Sequence, residues 1–160
     1  MLQYQSSDAG LTLAEGLREY YASREGLVSG RGLSEAAREF FRCHDVAHVV
    51  FGCSTALPDE AMVKVWSFLG TTGGLDVWRG YRLPESKEIY EQITWRDTVA
   101  TAVRAAAALP LVVWRCLRMP KRWPWADFDR HLGTPLQEIR SEYGIRLVRA
   151  SAARDYARTG

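Results

Sequence analysis

The sequence predicts one irregular all-α domain. Three observations carry that prediction. Apolar residues recur at helical spacing along most of the chain, no stretch alternates as a half-buried strand does, and neither an internal repeat nor a low-complexity linker divides the 160 residues. A chain of this length can bury one core. Hydrophobic residues at 47% and charged residues at 25% fit a soluble globular protein, and a net charge of +2 argues against a chain built to bind polyanions.

Leu11 to Glu25 reads as the first helix, with Leu13, Leu17, Tyr20 and Tyr21 along one side. Gly26, Gly30 and Gly32 then break the chain. Ser34 suits the N-cap of a second helix reaching about Phe51, where Gly52 stops it. Pro58 suits the first turn of a third helix, reaching about Leu69. Thr71 to Tyr81, with Gly73, Gly74 and Gly80, reads as a loop. Pro84 to Ile93 reads as a short helix, and Thr94 or Asp97 starts a long one that Pro110 should kink or end. Arg118 to Pro124 is irregular. Short helices follow at Ala126 to His131 and Pro135 to Tyr143, the second stopped by Gly144, and the tail from Arg146 is helical or frayed.

Cys43, Cys53 and Cys116 are odd in number and lack CxxC spacing, which points to a reducing compartment without a disulfide framework. The opening MLQYQSSDAG has no signal-peptide character. The most apolar stretch, Val99 to Leu117, is interrupted by Arg104, Pro110 and Arg115, so no membrane-spanning helix is expected. A cytoplasmic location follows as the expectation, compatible with peripheral attachment at the inner membrane.

Chemistry concentrates in residues 40 to 60. Ala37, Phe40, Phe41 and Phe51 mark an apolar face of the second helix, and His44 lies seven residues from both Ala37 and Phe51, on that same face. At about 100° per residue, His44, Asp45 and His48 span an arc of roughly 100°. Two imidazoles and a carboxylate on a buried face cost free energy unless they find partners, and one metal ion satisfies all three. Glu60, in the first turn of the next helix, returns to the level of His48 if the two helices form a hairpin. Two nitrogens and two carboxylates suit zinc, with iron or manganese compatible. The bland readings are a solvated Asp45 and a Glu60 that pairs with Lys64 one turn on. Lys64 is also placed to touch a substrate carboxylate. Asp59 points about 100° away from Glu60. Cys43 and Cys53 read as packing residues, and the lone His131 beside Arg130 as a surface residue.

These residues resemble a known family. His44-Asp45-x-x-His48, then eleven residues, then Glu60 matches without a gap the HDxxH-x11-E motif of the Coq4 family of ubiquinone biosynthesis proteins. Phe51-Gly52 after the motif, the segment from Glu60 to Trp66, and the closing Pro135-Leu136, Ile139-Arg140 and Gly144-Ile145 also resemble that family. The similarity spans roughly residues 34 to 146, and Arg42-Cys43 precede the motif where other members often carry an acidic or polar context. The resemblance implies an all-α fold, a divalent metal (zinc above all) at the four motif positions, and action on a prenylated aromatic quinone precursor. The reaction implied is removal of the ring carboxylate at C1 coupled to hydroxylation. It also implies peripheral membrane attachment and contact with other quinone-biosynthesis proteins, and is compatible with a homo-oligomer. The alternatives are a non-catalytic lipid-binding organiser with a structural metal, or a relative acting on another aromatic acid.

The stretch from Trp95 to Trp125 adds a second feature. Arg96, Arg104, Arg115, Arg118, Lys121 and Arg122 stand against Asp97 alone as far as residue 122, with Trp114, Trp123 and Trp125 interleaved. Such a mixture suits a membrane interface, or equally a core helix with a solvated basic face. No nucleic-acid-binding motif accompanies it, so nucleic acid is not an expected partner. The His-Asp doublet lacks the further ligands of an HD-type phosphohydrolase.

Overall fold

The computed structural model describes residues 2–23, 32–86 and 108–148. The fold is all-α. Helix α1 is Leu13–Ala22, α2 is Glu35–Val50, and α3 is Leu57–Val65, which widens into a π-helical turn at Trp66–Gly70. Helix α4 is Gly74–Tyr81, and α5, near the C-terminal end, is Leu136–Tyr143. Residues 108–117 are also helical. Among the described residues there is no strand. Isolated bridges tie Thr12 to Pro135 and Thr71 to Trp123.

Local chemistry explains most of the boundaries. Thr12 and Glu15 cap α1 reciprocally: Thr12 Oγ1 accepts from the Glu15 amide, and the Glu15 carboxylate accepts from the Thr12 amide. Ser34 caps α2 as expected, its hydroxyl accepting from the Ala37 amide at 3.2 Å. Gly52 follows that helix in the left-handed region, and Gly144 does the same after α5. Pro58 sits in the first turn of α3. The expected continuation of α3 to Leu69 is helical, but with the wider π pitch after Val65.

Two expectations are corrected. Residues 74–81 form α4 rather than a loop. The glycines that suggested a loop mark close packing: a Cβ on Gly80 would lie 1.9 Å from Phe40 Cδ2, and one on Gly73 would lie 2.7 Å from Trp125 Cγ. The expected helix from Ala126 to His131 shrinks to one 3-10 turn at Asp129–His131, since Phe128, just before it, is drawn into the core. Pro110 lies within the helical stretch 108–117 and does not end it. Residues 84–86 are helical, whereas the rest of the expected helix to Ile93, the start of the long helix and most of the tail lie outside the described residues.

The second half of α2 is the centre of the core. Every residue from Cys43 to Val50 is buried, so this helix has no solvent face there. Around it pack Leu13 and Tyr20 of α1, Met62 and Val63 of α3, Leu136 and Ile139 of α5, and Trp66 stacked on Phe51 with ring centres 4.5 Å apart. The cysteines are free and buried. Burial pushes the Cys43 and Cys116 thiols up to about 12, and Cys53 well above its ordinary value, so all three are packing groups rather than nucleophiles.

One charge is buried at the base of α2. Arg140 of α5 is 4% exposed, and its guanidinium donates to the carbonyls of Val49 and Val50 at 3.0 Å, and to those of Tyr4 and Ser6. Burial lowers its pKa to about 10, which leaves it charged at neutral pH. The contact satisfies carbonyls at the C-terminal end of α2 and favours a cation there. Replacing Arg140 with Met keeps the length but removes every donor. The expected loss is about 3 kcal/mol or more, read as a lowered urea midpoint; an unchanged midpoint would show that the carbonyls find other partners.

Candidate metal centre

Residues 51–56 connect α2 to α3 and bring three of the four motif residues together. One donor atom each from His44, His48 and Glu60 lie within 4.8 Å of one another. The carboxylate divides its oxygens: Oε1 lies 3.2 Å from His48 Nε2, and Oε2 lies 3.8 Å from His44 Nε2. The two imidazoles meet edge to face, with centres 4.7 Å apart.

The His48 ring is oriented from behind. Its Nδ1 lies 3.4 Å from the Cys53 carbonyl, which can only accept, so Nδ1 is the donor in that contact; the neutral ring then has its Nε2 lone pair for a metal, and in metal-free protein at acid pH the protonated ring faces Glu60 as a cation. A backbone carbonyl on the far nitrogen is the usual support of a metal-binding imidazole. The Nε2 atom is fully buried and makes no aligned hydrogen bond, although Glu60 Oε1 is close. Donors about 2.0–2.1 Å from a tetrahedral zinc stand about 3.3 Å apart. The separations of 3.2 and 3.8 Å, to the two different oxygens of Glu60, are close to that spacing, and the three donor atoms all lie within 4.8 Å of one another. The donor types and spacing therefore fit a divalent ion.

Burial alone would raise the Glu60 pKa. Contact with His48, then the charges of His48, His44 and Lys64, outweigh burial and hold it at about 2. Lys64, one turn further along α3, is only partly buried. Burial lowers its pKa against the opposing pull of Glu60, and its Nζ lies 5.4 Å from the centre of the Tyr81 ring.

Asp45 stands outside the three-residue group. It is buried, but it faces α1, where the Tyr20 hydroxyl donates to its Oδ1 at 3.2 Å. Asp59 is engaged by the amide and hydroxyl of Ser54 and organises the turn before α3, in keeping with its expected direction away from the site. His131, expected at the surface, is partly exposed beside Arg130, whose Nε donates to its Nε2 at 3.2 Å. It is half-buried between Trp123 and Tyr143, whose hydroxyl lies 3.2 Å from its Nε2, because the loop it sits on folds back against α5.

Three aromatic neighbours were not singled out in the sequence. Tyr20 stacks on His48 with ring centres 5.3 Å apart, and Phe40 and Tyr81 each approach His44 to 5.8 Å. Phe40 was legible only as an apolar face residue, and Tyr81 was hidden because α4 read as a loop. Its spacing from Val77, another residue of that helix face, was the available signal. Beyond Phe40, a mostly apolar cleft of about 320 Å³ opens between α2 and α4, lined by Cys43, Gly80, Leu83 and Trp125 among others.

The tryptophans of the basic stretch separate. Trp123 and Trp125 belong to the core, whereas Trp114 is 43% exposed, with the Arg115 and Arg118 guanidinium carbons 5.2 and 4.9 Å from its ring centre. Leu75, Trp78 and Leu117 are also exposed. Among the described residues no helix is long and apolar enough to cross a membrane. Compared with known proteins, the chain matches no family model, and no curated protein or solved structure shows significant similarity to it.

Glu60 ties metal-free stability to acid pH. Its folded pKa of about 2 lies below the ordinary value of 4.5, so its contribution is full above about 4.5 and is lost as pH falls toward 2. In chelator-treated protein the stability advantage of wild type over Glu60→Gln should shrink across that window. A constant difference, measured by urea unfolding at stepped pH, would contradict the ion-pair geometry.

Proposed function

We propose that this chain is a metal-dependent, Coq4-like enzyme acting on a prenylated aromatic acid. The observation that carries the reading is the convergence of three protein donors, the two buried histidines and the partly buried Glu60, as the group found among the described residues. A structural zinc is closed by four protein ligands, whereas a catalytic one keeps a position for water or substrate. The motif His44-Asp45-x-x-His48 with Glu60 supports the Coq4 assignment, and a two-imidazole, one-carboxylate set with an open position suits either a catalytic zinc or a non-haem iron(II).

The reaction in this reading removes the ring carboxylate at C1, coupled to hydroxylation there. A bound divalent ion supplies positive charge that stabilises negative charge developing on the ring. The chain's own groups do the rest. Lys64, held beside Glu60 and against Tyr81, binds the substrate carboxylate as a cation. Phe40 and Tyr81 wall the ring from water, and the cleft between α2 and α4 receives the apolar tail. As the bond from C1 to the carboxylate breaks, CO2 leaves. The hydroxyl oxygen would come from O2, activated by a redox-capable metal or by the electron-rich ring itself, because zinc has no redox chemistry, with two electrons and two protons from an external reductant of the reduced flavin or nicotinamide class taking the second oxygen atom to water.

Decarboxylation of a prenylated hydroxybenzoate by zinc-, iron- and manganese-loaded protein tests this. Metal-stripped protein should be inactive and should recover on reloading; full activity without metal overturns the reading. Lys64→Met should raise KM by about 10-fold or more if it binds the carboxylate.

A second reading is a non-catalytic, lipid-binding organiser of a quinone-biosynthesis complex with a structural metal. The exposed Trp114 and Leu117 beside Arg115 and Arg118 favour a membrane surface in either case. Co-sedimentation with vesicles should then require anionic lipid and weaken in Trp114→Ala. Absence of binding to anionic and neutral vesicles alike removes the membrane from both readings.

A further inference from the structure

Tyr20 and Asp45 meet behind the metal centre in an arrangement the motif does not explain. Asp45 follows His44 directly, yet its carboxylate faces α1 while the donors of His44 and His48 face Glu60 of α3. Tyr20 joins the two sides. It is 1% exposed, its hydroxyl donates to Asp45 Oδ1, and its ring lies on the His48 imidazole at an interplanar angle of 28°. A phenol bonded at one end and stacked at the other has little freedom to rotate. Tyr4 closes the frame: its ring meets Tyr20 edge-on at 6.0 Å, and its hydroxyl donates at 3.1 Å to the Cys53 carbonyl that His48 Nδ1 also approaches.

We propose that Asp45 is a positioning residue that fixes the plane of the His48 imidazole through Tyr20 and does not itself bind the metal. This rests on the reading of His44, His48 and Glu60 as metal ligands. Its physical basis is that a ligand imidazole binds well only when its lone pair already points at the ion. The Cys53 carbonyl sets the direction of Nδ1, and His44 meets the buried ring edge-on, which leaves the other face of the imidazole to be held. Tyr20 covers that face, and Asp45 keeps Tyr20 in register through its hydroxyl. The consequence is a centre with three protein ligands and an exchangeable position.

Cobalt(II) titration of the full chain tests the proposal, with visible ligand-field absorption as a readout independent of activity. Tyr20→Phe deletes one oxygen and keeps the stacked ring; Asp45→Asn keeps the shape and removes the charge. Each should weaken cobalt binding by about 10- to 100-fold while preserving the absorption band of the wild-type complex. The double variant should lose no more than either single one, because the two groups act as a unit. Three results would overturn the proposal: unchanged affinity in Tyr20→Phe, an altered band in Asp45→Asn (the mark of a lost ligand), or losses that simply add. If wild type takes up no cobalt, the metal centre fails and this proposal with it. If wild type binds and Tyr20→Phe matches it, only the positioning role fails.

Discussion

The guanidinium of Arg140 is the fixed point from which the rest of the architecture hangs. It gathers two carbonyls from the N-terminal segment and two from the last turn of α2. Chain segments remote in sequence thereby share one cation. The α2 carbonyls it binds belong to Val49 and Val50, immediately after His48. The position of a candidate ligand is therefore set by a charge on another helix. Carbonyl dipoles rather than a carboxylate compensate that charge, so the clasp depends on backbone placement.

The same economy governs the polar residues of α2. A helix buried from Cys43 to Val50 cannot release a histidine or an aspartate to solvent. Each must be satisfied inside, and the protein divides the task by direction. His44 and His48 look to α3, where Glu60 supplies charge, and Asp45 looks to α1, where Tyr20 supplies a hydroxyl. Aromatic faces fill the remaining space around both imidazoles.

Much of this was legible from the sequence where the signal is local. Ser34, Gly52, Pro58 and Gly144 announce helix ends through backbone chemistry, and the His44, His48 and Glu60 spacing follows from helix pitch and a short connection. What stayed hidden is tertiary. Gly80 looks like a chain breaker until Phe40 is laid against it, and Tyr81 becomes visible only once α4 exists. Helical projection placed Asp45 within reach of the histidines, but at its edge of the arc a partner on α1 decides where the carboxylate turns. Trp123 and Trp125 shared a basic, aromatic context with Trp114, and only packing separates core from surface.

The spacing of the three donors along the chain bears on what it costs to bring them together. His44 and Glu60 are separated by a single turn between adjacent helices, so closing that segment demands little chain entropy. The clasp on Tyr4 joins residues 136 positions apart. Contacts of short span close with a smaller loss of chain entropy than those of long span. The donor atoms that could hold a metal ion thus come from one short hairpin, whereas the clasp of Arg140 needs α5, the end of α2 and the N-terminal segment together.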